Sequence, residues 1–119
     1  MTITEREVGD VVILDVVGRL TVEEGSRQLS AYVEKLLDRE RLKILVNLEQ
    51  VPYLDTTGVA ELVLSYTWVQ RQGGTLKLLN LSPYAEHLLK ISNLLTIFET
   101  FTTEAEALRS VAGKLTATG

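Results

Sequence analysis

Apolar and polar positions alternate loosely from Thr2 to Val8, break at Gly9 and Asp10, and resume as a strong β run from Val11 to Val17 interrupted only by Asp15. Two such runs around a Gly-Asp turn predict an antiparallel hairpin. Gly18 ends its second strand. Apolar residues then recur at Val22, Leu29, Val33 and Leu36, flanked by Tyr32 and Leu37, which is the 3.6-residue period of a helix. Thr21 is placed as the N-cap of that helix, with Glu24 completing a capping box. Lys43 to Leu48 and Thr75 to Leu81 are short and almost wholly apolar, as strands covered on both faces are. Between them runs a long helical pattern, Val59 to Arg71, closed by Gly73 and Gly74. Ser82 and Pro83 open a third helix carrying Ala85, Leu88, Leu89 and Ile91, which breaks at Ser92 and Asn93. Ile97 to Phe101 is expected as a short edge strand. Thr103 and Glu106 form a second capping box, ahead of a last helix bearing Ala107, Leu108 and Val111. The tail, 115–119, is expected to fray.

After the hairpin, strand and helix alternate. That order defines an α/β fold over residues 1–119 as a single domain: a mixed, mostly parallel sheet with an N-terminal hairpin and about four helices packed against it. Functional groups in such sheets gather beyond the carboxyl ends of the strands, in the loops that lead into helices. Tyr53, Leu54, Asp55, Thr56, Thr57, Gly58 and Val59 occupy such a loop, between the strand ending at Leu48 and the central helix. A hydroxyl on Thr56 stands where the first helix amides lack partners inside the helix, so an added phosphate would meet donors and a favourable dipole. An ordinary helix cap uses the same residue types.

Composition narrows the chemistry. The 119 residues are 45% hydrophobic and 24% charged, with a net charge of −4 from 12 basic and 16 acidic side chains, and the basic ones are scattered. Nucleic-acid binding wants a basic face, so that class falls away. The absence of cysteine removes disulfides, thiolate metal sites and cysteine nucleophiles, and is compatible with a cytoplasmic location. Residues 1–10 are polar with mixed charge, unlike a signal peptide, and no apolar run approaches the ~20 residues of a membrane span.

Enzyme readings of the Asp55 loop fail on named residues. An aspartic-protease site needs Asp-Thr-Gly, but here a second Thr intervenes and a helix follows. A receiver domain needs an acidic cluster beyond its first parallel strand to hold magnesium, but Gly18, Arg19 and Leu20 stand there. A haloacid-dehalogenase-type phosphatase needs a second carboxylate two residues on, where Thr57 stands. His87 is the single histidine, so neither a histidine metal cluster nor a histidine triad has partners. No catalytic residue, metal site or cofactor is expected. On the central helix, Val59, Leu62, Val63, Tyr66 and Val69 can face the sheet. Ala60, Leu64 and Trp68 then form a second stripe, either covered by another helix or open to a protein partner.

The segment Asp55-Thr56-Thr57-Gly58-Val59, preceded by Asn47, Leu48 and Val51 to Leu54, resembles the Asp-Ser-Ser/Thr-Gly-Leu segment of STAS domains, anti-sigma-factor antagonists in particular. The likeness extends through Gly18 with Leu20, the Gly73–Gly74 pair and Leu88 to Phe98. It implies that the unphosphorylated chain binds an anti-sigma factor of the serine/threonine protein kinase type and so frees a sigma factor. The kinase then phosphorylates Thr56, among Asp55, Thr57 and Gly58, and a phosphatase resets the switch. Leu64 and Trp68 would belong to the partner surface, and no nucleic acid or membrane insertion is implied. Two departures stand out: the usual acceptor is serine, and the acidic residue the family often places two or three positions after Gly18 is here Leu20 or Thr21. The alternative within the family is a STAS subunit that docks onto an ABC-type or other membrane transporter without a phosphorylation cycle.

Overall fold

The computed structural model describes residues 1–23 and 27–118, with side chains described as far as 111. Strands β1 (Thr2–Val8), β2 (Val11–Val17), β3 (Lys43–Gln50), β4 (Thr75–Leu79) and β5 (Thr100–Phe101) form one sheet in the order β1-β2-β3-β4-β5. β1 and β2 pair antiparallel through Val8↔Val11, so the Gly9–Asp10 turn closes the predicted hairpin, and every later pairing is parallel. Helices α1 (Gln28–Asp38), α2 (Thr56–Arg71), α3 (Pro83–Ile91) and α4 (Glu104–Thr118) supply the crossovers and the last element.

Alternation along the strands sorts the core into two layers. Val12, Leu14, Ile44, Val46, Leu76 and Leu78 point to one face, where they meet Leu29, Val33 and Leu36 of α1, Val59, Leu62 and Val69 of α2, and Ala85 and Leu89 of α3. Val11, Ile13, Leu45 and Leu79 point to the other, under Ala107 and Val111 of α4. Arg6 of β1 fastens α4 from the side, bonding Asp15 on β2 and Glu104 at the start of α4. Asp15, the one charge in its strand, is thereby paired rather than stranded, and Asn47 donates to it as well. Lys77 is buried on this face at 4% exposure, held by Glu99 and Ser110.

The second capping box forms in part: the Glu106 amide donates to the Thr103 hydroxyl, and the Glu106 carboxylate accepts from that hydroxyl in place of the Thr103 amide. Ser82 caps α3 through the Ala85 amide. At the end of α2, Gly73 has φ +79, the left-handed conformation that releases a helix most cheaply at glycine.

Three expectations need correction. α1 does not begin after Thr21; it starts at Gln28, and Val22 is 62% exposed in the preceding loop instead of on a helix face. Leu20 pairs with Leu54 in an isolated parallel bridge, and Thr21, Val22 and Glu23 beyond it bend and turn rather than form helix. Glu24 of the expected capping box lies outside the described residues. β4 ends at Leu79, because Asn80 turns to φ 58. The edge strand shrinks to Thr100–Phe101, since Phe98 folds into the core edge-on against Tyr66. Ile91, the last residue of α3 as expected, is 62% exposed. The frayed-tail expectation falls on residues whose side chains lie outside the described set.

Candidate functional site

The site grows out of two loops that run side by side. After β2 and β3 end, their chains continue in parallel: the Gly18 amide donates to the Gln50 carbonyl at 3.0 Å, Leu20 to Tyr53 at 3.2 Å, and Asp55 back to Leu20 at 3.3 Å. Val51, Leu54 and Leu20 are buried beneath, so apolar anchors fix the backbone on which the polar residues sit. The helix then starts one residue after Asp55, at Thr56, three residues earlier than the apolar periodicity alone places it.

Asp55 is the N-cap of α2. One carboxylate oxygen accepts the Gly58 amide at 2.9 Å and the other accepts the Val22 amide at 3.2 Å. A single side chain therefore closes the helix and ties down the loop after β2. The Gly58 amide is the largest cause holding the Asp55 carboxyl below its ordinary value; burial opposes it, and the amides of Val22 and Thr57 add to the lowering. At neutral pH the group is a carboxylate. It also occupies one of the helix amides that the sequence offered to a phosphate.

Gly58 is required by close approach. A Cβ built on it would lie 2.1 Å from the Leu20 carbonyl oxygen and 3.0 Å from Leu54 Cβ. The first turn of α2 can rest against the neighbouring loop only because that side chain is missing. Thr56, the first helical residue, is exposed, and Thr57 is half-buried.

Thr56 lies at the rim of a groove of about 670 Å³ that runs along α2. Val59, Ala60, Val63, Leu64 and Trp68 form its wall from α2, and Leu94 closes it from the segment after α3. The predicted stripe of Ala60, Leu64 and Trp68 thus lines an open apolar groove, and among the described residues no helix covers it. Leu64 and Trp68 are half-buried.

Two features escaped the sequence. Glu61 is buried at 6% exposure, and its carboxylate accepts the amide of Ser30 in the first turn of α1 at 3.1 Å. It replaces the side-chain cap that Arg27 does not provide. A lone acid amid the buried positions of an apolar helical pattern is the signal for it. The second feature is a cluster at the carboxyl end of the sheet. Arg19 lies over the Tyr53 ring at 5.4 Å, and Tyr53 meets Tyr84 edge-on at 4.9 Å between centroids. These residues come from two loops and the first turn of α3, far apart in sequence, so sequence spacing gives no sign of it.

Among the described residues no group of acidic or histidine side chains could hold a metal ion, and no helix is long and apolar enough to cross a membrane. His87 is exposed on α3.

Residues 2–107 match the STAS domain family, and the chain belongs to it. Its fold is similar to that of the Thermotoga maritima protein TM1081, described as an anti-sigma factor antagonist: TM-score 0.85, 25% identity, over 92% of this chain and 93% of that one. It is likewise similar to the anti-sigma factor antagonist SpoIIAA in its unphosphorylated form (TM-score 0.78, 21% identity, 94% and 97% covered). A sulfate transporter family protein from Wolinella succinogenes shares the fold too (TM-score 0.72, 18% identity, 94% and 91% covered).

Proposed function

We propose that this chain is an anti-sigma-factor antagonist that acts by binding rather than catalysis. Its unphosphorylated form engages an anti-sigma factor with protein kinase activity, releasing a sigma factor in the cytoplasm, and phosphorylation of Thr56 ends the engagement. A phosphatase restores the binding form. The observation that carries this reading is the position of Thr56, an exposed hydroxyl on the first residue of α2 and at the rim of the apolar groove lined by Leu64 and Trp68. A kinase can reach it, and a partner seated in the groove would cover it. SpoIIAA, a relative in fold, is known in a phosphorylated form as well as an unphosphorylated one.

The physics of the switch is local. A phosphate adds about −1.5 to −2 charge at neutral pH. Asp55 already holds the Gly58 amide and is ionised, so the new group sits beside a like charge and projects outward. It leaves the cap and the Leu20–Leu54 contact intact while placing a hydrated dianion at the rim of an apolar surface. Binding is lost and the fold is kept.

Mixing the chain with the anti-sigma kinases of its own genome and ATP, followed by mass spectrometry, tests this. Phosphate on Thr56, none on Thr56→Ala, and release of the modified form from the kinase are the expected results. Thr56→Glu that unfolds, or that binds as tightly as the wild type, refutes it. Trp68→Ala should weaken binding with the circular dichroism spectrum unchanged. The second reading, a subunit docked on a membrane transporter, is favoured by the likeness to the Wolinella protein. Stable binding to a transporter with no phosphate under any condition selects it.

A further inference from the structure

The cluster of Arg19, Tyr53 and Tyr84 plays no part in the switch as described, yet it stands on the same end of the molecule. Arg19 follows β2, Tyr53 follows β3 and stands two residues before Asp55, and Tyr84 lies in the first turn of α3 after β4. Its geometry is that of a prepared contact. The guanidinium is stacked over one ring and the second ring braces the first, so the three side chains forfeit little freedom when a partner arrives. Arginine and tyrosine are among the residues most often found to dominate binding energy at protein interfaces.

The charge of the cluster says what it would take. Among the described residues, Arg6, Arg39 and Arg41 are each paired with a carboxylate of this chain, and Arg19, like Arg27, Arg71 and Arg109, is paired with none; Arg19 alone of these four lies over an aromatic ring. Its fork of N–H donors is free to meet a carboxylate from outside, the geometry guanidinium suits best. The two positions beside it, Leu20 and Thr21, are buried at 0% and 8% exposure, so Arg19 is the exposed cation of a loop whose next exposed side chains are Val22 and Glu23. A polyphosphate ligand fits less well: the Gly58 amide at the helix entrance is already taken by Asp55, and one arginine balances little of such a charge.

We propose that Arg19, Tyr53 and Tyr84 form a docking surface for an acidic segment of a protein partner, with a partner carboxylate on the Arg19 guanidinium and an apolar side chain against the two rings. This rests on the reading that the chain works by binding a protein at this end, and it adds the chemistry of that partner.

A random-peptide phage library panned on the immobilised chain tests it, since the selection itself finds the preferred ligand. Selected peptides should be enriched in Asp and Glu next to an apolar residue. By fluorescence anisotropy their affinity should fall more than about tenfold in Arg19→Ala and further in Arg19→Glu, the size expected of a dominant contact. Tyr84→Ala should also weaken them, and Arg109→Glu, exposed on α4 across the sheet, should not. Circular dichroism checks that each variant is folded. A library yielding neutral or basic binders, binders indifferent to Arg19→Glu, no binders, or binders displaced by millimolar ATP or GTP overturns the proposal. Measuring the same peptides on Thr56→Glu separates the two ideas. Arg19-dependent binding that ignores Thr56→Glu leaves the surface standing and counts against the switch, whereas a working switch with no Arg19 dependence does the reverse.

Discussion

Replacing Gly58 by alanine sets two effects of known size against each other. In the first turn of a helix, alanine is the better residue by up to about 1 kcal/mol. The new Cβ, however, would stand 2.1 Å from the Leu20 carbonyl oxygen, where about 1 Å of separation must open before the contact is tolerable. That oxygen accepts the Asp55 amide, and the Leu20 amide is bound to Tyr53, so the two loops cannot part without straining both bonds. Each such bond is worth roughly 1 kcal/mol, and overpacking adds roughly 1–3 kcal/mol. The sterics win, and Gly58→Ala should lose roughly 2–3 kcal/mol net. For a chain of this length that is a fall in Tm of about 5–12 °C. Urea unfolding should give a lower midpoint with the slope unchanged, and amide exchange should quicken at Leu20 and Asp55 before it does elsewhere. A variant as stable as the wild type, or more so, would mean that helix propensity prevails and that the close approach of α2 to the Leu20 loop is not a constraint.

Asp55→Ala should cost about 1 kcal/mol at pH 7, the usual value of a cap. Because the folded carboxyl is held below its unfolded value, that stabilisation is complete above the unfolded pKa of about 3.9 and disappears as pH falls through the lowered folded one. Thermal melts of the two proteins should therefore converge in acid, and a gap that stays constant down to full protonation would contradict the assignment. Glu61→Ala leaves the Ser30 amide without its acceptor in a buried place, at a cost of roughly 1–3 kcal/mol, while Glu61→Gln keeps an oxygen there and should cost less than half as much. Hydrogen exchange at the first turn of α1 reads the difference, and equal effects of the two changes would exclude the capping role. Lys77→Met removes a buried cation whose partner Glu99 is exposed, and Ser110 keeps its own bond to the Ala107 carbonyl. Stability by urea denaturation should stay within about 1 kcal/mol or rise. A loss above about 3 kcal/mol would show the pair to be indispensable.

The strands were readable because their burial is nearly uniform: a run such as Ile44 to Leu48 has one interpretation once both faces are covered. The caps at Ser82 and Thr103 were readable because each is made within a few residues of its own helix. The start of α1 was not, because its cap comes from another helix. Thr21 and Glu24 have the local spacing of a capping box, but the pairing of Leu20 with Leu54 claims that stretch, and Glu61 serves the helix that begins later. Asp55 shows both cases in one residue. Its bond to Gly58 follows from spacing, whereas its bond to Val22 depends on a loop more than thirty residues away in sequence. Arg19, Tyr53 and Tyr84 meet only because the topology brings the ends of β2, β3 and β4 to one edge.

Strand order in the sheet repeats strand order in the chain. No strand has to wait for a neighbour synthesised after an intervening one, so each can dock on its predecessor as it leaves the ribosome. Growth from the N-terminal hairpin outward keeps loop-closure entropy small at every stage. The last strand to arrive, β5, is only two residues long and is backed by α4, leaving little unpaired ribbon on that side for another nascent chain to seize.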